Sequence, residues 1–390
     1  MFRDFADSVD EYDAWLDTLA HTHERRIRVR VMTLDHVTKA WLEDVLDGQV
    51  TIDVENRECA RVANLRLLDP SRSLWMEPDG PSSLPVHLRR MIQVYYDVKV
   101  PLYGWVQCPV FTGPVVEMDR DGAEVTLVAE GKERLALGSF GRSHTWAKKR
   151  KKTSVIREIL QLAGEESKRI HLPPKNATLS KPFNVSRTEK PWVQARKLAK
   201  SMNMELFYDA RGHVRMRKSP QSPVRPRIGT DRLLSAVKLD RPKVEFINGW
   251  IVRGDNPPGD RPRVTSQLVG LPKNHPFSAQ SLARNGKPFW RIREVSRPQV
   301  KTKARANQIA KRLRDEHIEA NAQISFDCLP LPNVEEWDLL RAIDPMTGSH
   351  RVRVRQATIP LVGGAMTIGA IKRVSRGGRR GFQPASHGGL

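Results

Sequence analysis

The sequence predicts a β-rich α+β protein with two antiparallel β domains and small α+β domains inserted between them. Two observations carry this prediction. Segments at both ends of the chain alternate apolar and polar residues with the two-residue period of a half-buried strand. Other segments repeat apolar residues with the 3.6-residue period of an amphipathic helix. The clearest alternating segments are RIRVRVMT (26–33), QVTIDVEN (49–56), MIQVYYDVKV (91–100) and HRVRVRQATIPL (350–361).

The N-terminal part of the chain, up to residue 146, predicts a short helix followed by the first β domain. Residues 1–21 have an amphipathic pattern and carry six acids against one arginine up to residue 20, so we expect an acidic helical arm. Strand patterns then fill residues 22–146. VVEM, the turn DRDG and AEVTLVAEG are typical of a hairpin. The pattern fits a barrel or a sandwich, and we expect one antiparallel domain over this range.

Helical periodicity after Gly141 predicts an inserted α+β domain over residues 147–229. TSVIREILQLAG has one apolar stripe, Thr153 or Ser154 as its N-cap and Gly164 as its stop. KPWVQARKLAKSM (190–202) predicts a second helix that leads directly into a hairpin, MELFYDARGHVRMRK. A linker rich in Pro and Ser, SPQSPVRPRIG, ends the domain.

The C-terminal part of the chain, from residue 230 onward, predicts a second β domain with its own insertion. Strand patterns occur in residues 230–255 and again in 322–376, and we expect these two pieces to form one domain. Residues 256–321 lie between them as an inserted loop-and-helix domain, whose helix is the cationic segment 299–320. Residues 377–390 form a basic, Gly-rich tail.

The charge of the chain is strongly positive, and this limits the kinds of molecule that it can bind. Lys and Arg number 66 against 44 Asp and Glu, which gives a formal charge of +22 and a pI of about 10.3. Such a balance indicates a polyanionic partner or a place in an assembly beside acidic surfaces. Three widely spaced cysteines favour a reducing compartment, and we find no signal peptide or membrane-spanning run. We therefore expect a soluble protein made in a cytoplasm.

Catalytic and metal-binding motifs are not found in the sequence. It has no phosphate-binding Gly-rich loop, no H-E-x-x-H and no Cys pair at metal spacing. His21 and His23 could both face a metal, but no third ligand is evident. The acids Glu335, Glu336 and Asp338 in PNVEEWDLL fit a solvated loop better than an acid–base pair. We therefore expect no enzyme, no metal site and no cofactor.

Three groups of basic residues are the candidate contacts to a polyanion or a neighbouring subunit. Two lie on the polar faces of predicted strands, and the third forms the run AKKRKK, which we expect to be a linker before a helix. None comes with a base-reading module, so a soluble, non-specific nucleic-acid-binding protein is the alternative function. The three groups are Arg26, Arg28 and Arg30; Arg351, Arg353 and Arg355; and Lys148, Lys149, Arg150, Lys151 and Lys152.

The order of these elements resembles the baseplate-hub or tail-hub proteins of tailed bacteriophages. Three phrases carry the resemblance: the helix PWVQARKLAKSMN running into the hairpin MELFYDARGHVRMR, the loop-to-strand step PNVEEWDLLRA, and the final uncharged IPLVGGAMTIG. The similarity spans roughly residues 25–375. The family that the sequence resembles is the late control D-like hub family, whose members are often minor tail proteins of siphophages.

The resemblance implies a structural function in the virion. Hub proteins of this kind are homotrimers in which two tube-like antiparallel β barrels per subunit continue the tail tube as a ring. Residues 22–146 would then form the first barrel, and 230–255 with 322–376 the second. The other domains would face the distal tail protein, the tape-measure protein and other tail-tip or fibre proteins. The ring would line the DNA exit channel, and the protein would be assembled in the host cytoplasm without entering a membrane.

Overall fold

The structure is a computed structural model of the 390-residue chain, and it describes most of the sequence. The chain separates into two compact units, residues 1–237 with 325–370 and residues 238–324 with 371–390. The described residues are 5–54, 58–71, 74, 90–174, 177–218, 227–229, 231–240, 246–254, 264–273, 275–297, 300, 302–320 and 323–372.

Strands dominate the described residues, with four α-helices between them, so the predicted β-rich α+β class is confirmed. The helices are α1 Val9–Thr18, α2 Lys152–Leu162, α3 Pro191–Lys200 and α4 Lys303–Ala320. The strands that precede α2 are β1 Arg25–Thr33, β2 Thr38–Leu42, β3 Val45–Asp53, β4 Arg61–Leu68, β5 Arg90–Val100, β6 Gly104–Asp121, β7 Glu124–Glu130 and β8 His144–Trp146.

The later strands are shorter until the C-terminal part of the chain. They are β9 Ile170–His171, β10 Phe183–Val185, β11 Glu205–Tyr208, β12 Val214–Arg217, β13 Arg227–Ile228, β14 Lys238–Asp240, β15 Gly249–Arg253, β16 Val269–Gly270, β17 Ile292–Ser296, β18 Gln323–Cys328, β19 Leu339–Asp344, β20 Gly348–Pro360 and β21 Met366–Lys372.

One large sheet joins the two ends of the chain in the first unit. Its order is β18-β21-β20-β3-β4-β7-β6-β5-β1-β2, with β19 beside β20 and β13 beside β19. Strand β20 runs antiparallel to β3, with Gln356 opposite Asp53 and Pro360 opposite Gln49. Among the described residues no pairing links β2 back to the other end of this order. Closure into two tube-like barrels therefore stays a prediction.

Strand β1 and the hairpin of β6 and β7 both agree with the predicted pattern. Ile27, Val29 and Val31 are buried, while the arginines between them lie on the opposite face. The hairpin of β6 and β7 turns at Gly122, whose φ is 59°. That value belongs to the left-handed region, which favours glycine. Asp121 and Glu124 face each other across the turn.

The inserted helices α2 and α3 share a core with the hairpin β11–β12. Ile156, Ile159, Trp192 and Tyr208 are among its buried side chains. Helix α2 begins at Lys152, so the predicted N-cap at Thr153 or Ser154 is wrong. The reason is non-local: Lys152 N donates to Ala177 O at 2.9 Å, which starts the helix earlier. The predicted stop is correct, because Gly164 has a φ of 90°.

The second unit has a three-stranded sheet, β16-β15-β17, packed on α4. Trp250 and Val252 of β15 are buried against Ala306 and Ala310 of α4. Residues 249–253 therefore pair outside the sheet that holds strands β19 to β21, which differs from the predicted grouping of 230–255 with 322–376. The difference arises because β15 buries its apolar face on the helix of the predicted insertion.

Candidate functional site

A cluster of buried charged side chains lies in the first unit, around Arg61 of β4. Only 2% of the Arg61 side chain is exposed, and it binds two carboxylates of the loop before β19. Its Nε lies 2.7 Å from Glu336 Oε1, and its Nη2 lies 2.5 Å from Glu335 Oε2. Nη1 also donates to Val110 O at 2.8 Å. A strand of the first β domain is thus tied to a loop 275 residues away.

The same loop is bound from the other side by the hairpin β11–β12. Arg217 Nη2 lies 2.7 Å from Asp338 Oδ1 and also donates to the carbonyl of Glu336. Ala210 N donates to Glu335 Oε1 at 3.3 Å. The loop therefore joins the first β domain to the inserted hairpin through charge-assisted hydrogen bonds, which are stronger than neutral ones.

Glu336 and Asp338 of PNVEEWDLL are buried and Glu335 is 21% exposed, so their predicted assignment as solvated loop acids is wrong. Glu336 and Asp338 are 0% exposed. A buried carboxylate is costly unless it is paired, and here the counter-charges come from Arg61 and Arg217, which are remote in sequence. A local pattern contains no sign of such partners. The sequence feature closest to a sign of burial is the cluster of three acids directly before an apolar strand. That feature alone does not distinguish buried carboxylates from solvated ones.

Burial changes the proton affinity of this cluster. Glu133, in the 3₁₀ turn Lys132–Ala136, is 2% exposed, and desolvation together with the nearby Glu336 raises its pKa to about 7. Burial also raises the pKa of Asp338 to about 6, against the opposing effect of Arg217.

The cavity beside this cluster has a volume of about 40 Å³. That volume is enough for a water but far smaller than a substrate site. The arrangement of buried, mutually paired charges around so small a space is suited to holding elements together.

A second buried polar network centres on Lys132. Its Nζ lies 2.9 Å from a carboxylate oxygen of Glu165, 3.1 Å from His36 Nε2 and 3.3 Å from Gly212 O. Tyr208 donates to the other oxygen of Glu165 at 3.0 Å. Burial, with the charge of Lys132, lowers the pKa of His36 to about 3, so this imidazole is neutral at physiological pH. The network ties the turn after β1 to the inserted domain.

The first candidate row, Arg26, Arg28 and Arg30, is brought together on the polar face of β1. The buried Asp97 of β5 pairs with two of these residues, at 3.1 Å from Arg26 Nε and 2.5 Å from Arg28 Nε. Arg30 Nε donates to Thr38 Oγ1 at 2.7 Å. The row is therefore already engaged by partners within the chain.

Aromatic rings complete this face, which the sequence pattern did not reveal. The guanidinium of Arg26 lies 4.4 Å from the ring centroid of Trp105, and that of Arg28 lies 4.8 Å from Trp41. Trp41 packs on Tyr95 at 5.6 Å. Stacking of this kind orients the guanidinium groups and shields them from solvent. The tryptophans at the exposed ends of their strands were the missed signal.

The basic run 148–152 is mostly exposed, and it lies before α2 except for Lys152, which is the first residue of that helix. Arg150 pairs with Glu158 of α2, which also accepts from Trp146 Nε1 at 2.8 Å. Lys152 Nζ donates to Ser201 Oγ at 2.8 Å. The exposed members of the run are Lys148, Lys149, Arg150 and Lys151.

The other arginine row, Arg351, Arg353 and Arg355, lies along one face of β20, opposite the buried Val352 and Val354. The guanidinium of Arg355 stacks 4.3 Å from the ring centroid of Trp337. The three candidate groups thus belong to three different elements of the fold: β1, the segment before α2, and β20.

A polar cleft of about 480 Å³ opens beside the first row. Arginines from three elements line it, and so do acids from the segment at the start of α1. Patterns along the sequence did not predict this cleft, since its walls come from distant segments. Its charged and aromatic lining includes Asp7, Glu11, Arg30, Tyr95, Trp105, Arg169 and Arg211.

Metal-ligand clusters and membrane-spanning helices do not occur in the residues that the structure describes. Within those ranges, no three His, Cys, Asp or Glu side chains are grouped as metal ligands would be. His23 Nδ1 lies 2.8 Å from the carbonyl of His21, a local contact within the chain. None of the helices in the described part of the chain is both long and apolar enough to cross a membrane.

Solved structures share this fold, although no family model and no curated protein matches the sequence. The 43 kDa tail protein of prophage MuSo2 from Shewanella oneidensis superposes with a TM-score of 0.61 at 12% identity, over 89% of this chain and 98% of that one. A tail protein from Neisseria meningitidis MC58 gives 0.59 at 10% identity, over 89% and 96%. The half-lidded Francisella PdpA–VgrG complex gives 0.54 at 9% identity, over 95% and 62%.

At these identities the likeness is one of fold. This chain has the fold of phage tail proteins over nearly its whole length. The resemblance to tail proteins that the residue patterns indicated is confirmed at that level.

Proposed function

We propose that this protein is a structural component of a bacteriophage tail, namely the hub at the tail tip. The observation that carries the proposal is the shared fold, which extends over 89% of this chain and 98% of a prophage tail protein. A match over whole chains supports a shared architectural role more strongly than a match between single domains. Fold alone does not fix function, so the internal contacts of the chain supply the second argument.

The charged side chains best placed for chemistry are used to hold the chain together. Arg61, Glu336 and Asp338 are buried in ion pairs beside a cavity too small for a substrate. A tail component must transmit force and keep its shape, and ion pairs that lock a loop between two domains serve that need. This use of the carboxylates supports a structural protein over an enzyme.

In this proposal the protein acts as a homotrimer. Each subunit contributes two sheet regions, one around β1 to β7 and one around β18 to β21, to a ring that continues the tail tube. The ring joins the tube to the distal tip and fibre proteins and lines the channel through which DNA leaves. Its partners are the distal tail protein and the tape-measure protein, in a virion assembled in the host cytoplasm.

Purified phage particles provide the test. Mass spectrometry of virions should detect this chain at a few copies per particle, and cryo-electron microscopy should place it as a three-subunit ring at the tail tip. A chain absent from particles, or one located away from the tail, would contradict the proposal. The copy number relative to the major tail protein separates a tip component from a tube component.

Non-specific nucleic-acid binding is the competing function, favoured by the exposed Lys148, Lys149 and Lys151. Binding to phosphates releases counterions, so affinity for duplex DNA would fall steeply between about 50 and 200 mM salt. A gel-shift series over that range distinguishes the two functions. Tight, salt-sensitive binding by a chain absent from virions supports the competitor, and weak binding by a virion component supports the hub.

A further inference from the structure

The second unit presents an apolar surface that its own fold leaves exposed. Every residue from 283 to 294, ARNGKPFWRIRE, is exposed. Phe289, Trp290 and Ile292 within it are 45%, 36% and 46% exposed. Phe246 packs against Phe289 and also against the exposed Phe277, which widens the surface. Contiguous apolar surfaces on soluble proteins mark sites of contact with other molecules.

This surface is held rigidly by the buried Asn248. The Asn248 Nδ2 group donates to Phe289 O at 2.8 Å, and its Oδ1 accepts from Arg291 N at 2.7 Å. The Asn248 backbone N donates to Arg291 O at 3.0 Å. One residue thus fixes the backbone on both sides of Trp290. A surface ordered in advance loses less entropy when it binds.

Two glycines form the floor beneath Trp290. A Cβ at Gly270 would come within 2.8 Å of the Trp290 ring, and one at Gly249 would come within 3.1 Å. The ring therefore lies directly on the backbone of β15 and β16, and its outer face stays open. Glycine at these positions allows the close approach. We call residues 283–294 the aromatic segment.

The positive charge of the aromatic segment determines which kind of surface can bind to it. The segment holds Arg284, Lys287, Arg291 and Arg293 against one acid, Glu294. The surrounding residues 238–324 carry 18 Lys and Arg against 8 Asp and Glu. An occupant must therefore present acids around a small apolar centre, because like charges facing each other across an interface are strongly unfavourable.

The outer face of α1 has this composition. Asp10, Asp13 and Asp17 follow the spacing i, i+3, i+7 and so lie on one side of the helix. Val9, 48% exposed, precedes Asp13 by four residues and so adds an apolar side chain at the edge of that side, while Tyr12 and Trp15 are buried on the other. The last turn, which contains Asp17, has no basic residue. The helix dipole disfavours an acid there, and a cationic partner would compensate for this placement.

We infer that the aromatic segment of one copy binds the outer face of α1 of a second copy. The inference rests on the proposed function, since it assigns the contact by which hub subunits associate. Two different surfaces meet in this contact, so it is heterologous, and it forms a ring where its repeated rotation closes, as the proposed homotrimer requires. In the contact, Val9 packs near Trp290 and Ile292, and Asp10 and Asp17 face the cations of the segment.

A charge-swap experiment on the full-length protein tests the contact. The first variant reverses α1 (Asp10→Lys with Asp17→Lys), the second reverses the segment (Lys287→Glu with Arg293→Glu), and the third combines both. Sedimentation velocity over a concentration series measures self-association. We expect each reversal to weaken association about tenfold or more, and the combined variant to recover most of the loss.

Matched controls separate this contact from general effects of charge. Lys39→Glu with Lys197→Glu changes the net charge as the segment reversal does, at exposed cations elsewhere, and should leave association unchanged. Trp290→Ala should weaken association without any change in charge, and thermal unfolding checks that each variant folds. Association that is insensitive to both reversals, or losses that the combined variant does not recover, would overturn the inference. The detection of the chain in virions is independent of that result and decides the proposed function separately.

Discussion

The two units of this chain differ in one feature each: the first buries a cluster of charged side chains, and the second exposes a cluster of aromatic side chains. In the first unit, Arg61, Glu336 and Asp338 are buried almost completely. In the second, Phe289 and Trp290 lie on the surface. The difference indicates what each region is for. Buried ion pairs fix one part of a chain to another part, whereas an exposed, rigid aromatic surface is suited to a contact with another chain.

The energetic consequences of the two arrangements also differ. A buried ion pair adds little net stability, yet removing one partner leaves a charge without compensation and is strongly destabilising. Phe289 and Trp290 are 45% and 36% exposed, so each stabilises its own fold less than a fully buried ring does, because only the buried part of its surface leaves water on folding. Substitutions in the two units should therefore separate into large and small effects on folding.

The largest effect is expected at Arg61. Arg61→Leu leaves Glu336 buried and unpaired, so the free energy of unfolding should fall by about 3 to 5 kcal/mol. Chemical denaturation followed by circular dichroism measures the loss. Arg66→Leu, on the same strand, breaks an exposed pair with Glu124 and should cost no more than about 1 kcal/mol. Equal losses at the two positions would remove the distinction between buried and exposed pairs.

The next effect concerns pH and Glu133. Since burial raises the pKa of this carboxyl from 4.5 to about 7, the folded chain binds the proton more tightly than the unfolded chain. The contribution of Glu133 to stability is therefore complete below pH 4.5 and is lost as pH rises through 7. Asp338, with its pKa raised from 3.8 to about 6, acts in the same direction at lower pH.

Glu133→Gln should remove the part of this pH dependence that belongs to Glu133. At pH 8 the variant should be about 1 to 3 kcal/mol more stable than the wild type, and at pH 4 the two should agree within about 0.5 kcal/mol. Denaturation at the two pH values provides the measurement. Glu117→Gln, at an exposed position of β6, is the control and should alter neither value. A variant that is less stable at pH 8 would show that the carboxylate is stabilising.

A smaller effect is expected where the inserted domain approaches β6. Gly212 has a φ of 74°, and a Cβ there would lie 2.8 Å from Thr112 Cγ2 and 2.7 Å from Lys132 Cδ. Gly122 has a similar φ of 59° with open space around it. Alanine at either position incurs the cost of the left-handed conformation, but only Gly212→Ala also forces neighbours apart.

The two glycine variants should differ by about 1 to 2 kcal/mol in the free energy of unfolding, with Gly212→Ala the less stable. Thermal denaturation of both proteins, compared with the wild type, measures this difference. Because both variants share the cost of the left-handed conformation, their difference measures the cost of crowding at the contact between the inserted domain and the sheet. Indistinguishable values would mean that Thr112 and Lys132 adapt to the added methyl group without cost.

The smallest effect on folding is expected at Trp290. About a third of the ring is exposed (36%), so Trp290→Ala should lower the free energy of unfolding by about 1 kcal/mol, well below the loss for a fully buried ring. Trp250→Ala, on the buried face of the neighbouring strand, should cost about 3 to 5 kcal/mol. Denaturation of the two variants gives the comparison. A large loss at Trp290 would assign the ring to the core of its own unit.

Local patterns predicted much of the fold. The arginines between Ile27, Val29 and Val31 gave the faces of β1 correctly, and the turn at Gly122 followed from its residue type. These features depend on neighbours two to four residues apart. The confirmed stop of α2 at Gly164 is of the same kind, whereas its start depends on a hydrogen bond to Ala177 and was missed.

The buried charges were not predictable because their partners are distant in sequence. Glu336 is buried since Arg61 reaches it, and the two are 275 residues apart. Without Arg61, the segment PNVEEWDLL fits a solvated loop. Arg28 is a similar case. The sequence pattern predicted that it contacts a polyanion, but its partners Asp97 and Trp41 within the chain were not predictable from that pattern. The periodicity of apolar residues shows which face of a strand or helix is buried. It gives no information on which other element packs against that face.

The pairing of β3 with β20 also bears on how this protein is made. Strand β3 leaves the ribosome early, but Gln356, the partner of Asp53, follows it by 303 residues. At roughly 5 to 20 residues per second, the edge of β3 from Gln49 to Asp53 stays unpaired for roughly 15 to 60 s of synthesis. An open strand edge is a site for wrong association during that time. The yield of folded protein should therefore depend on translation speed and on chaperones.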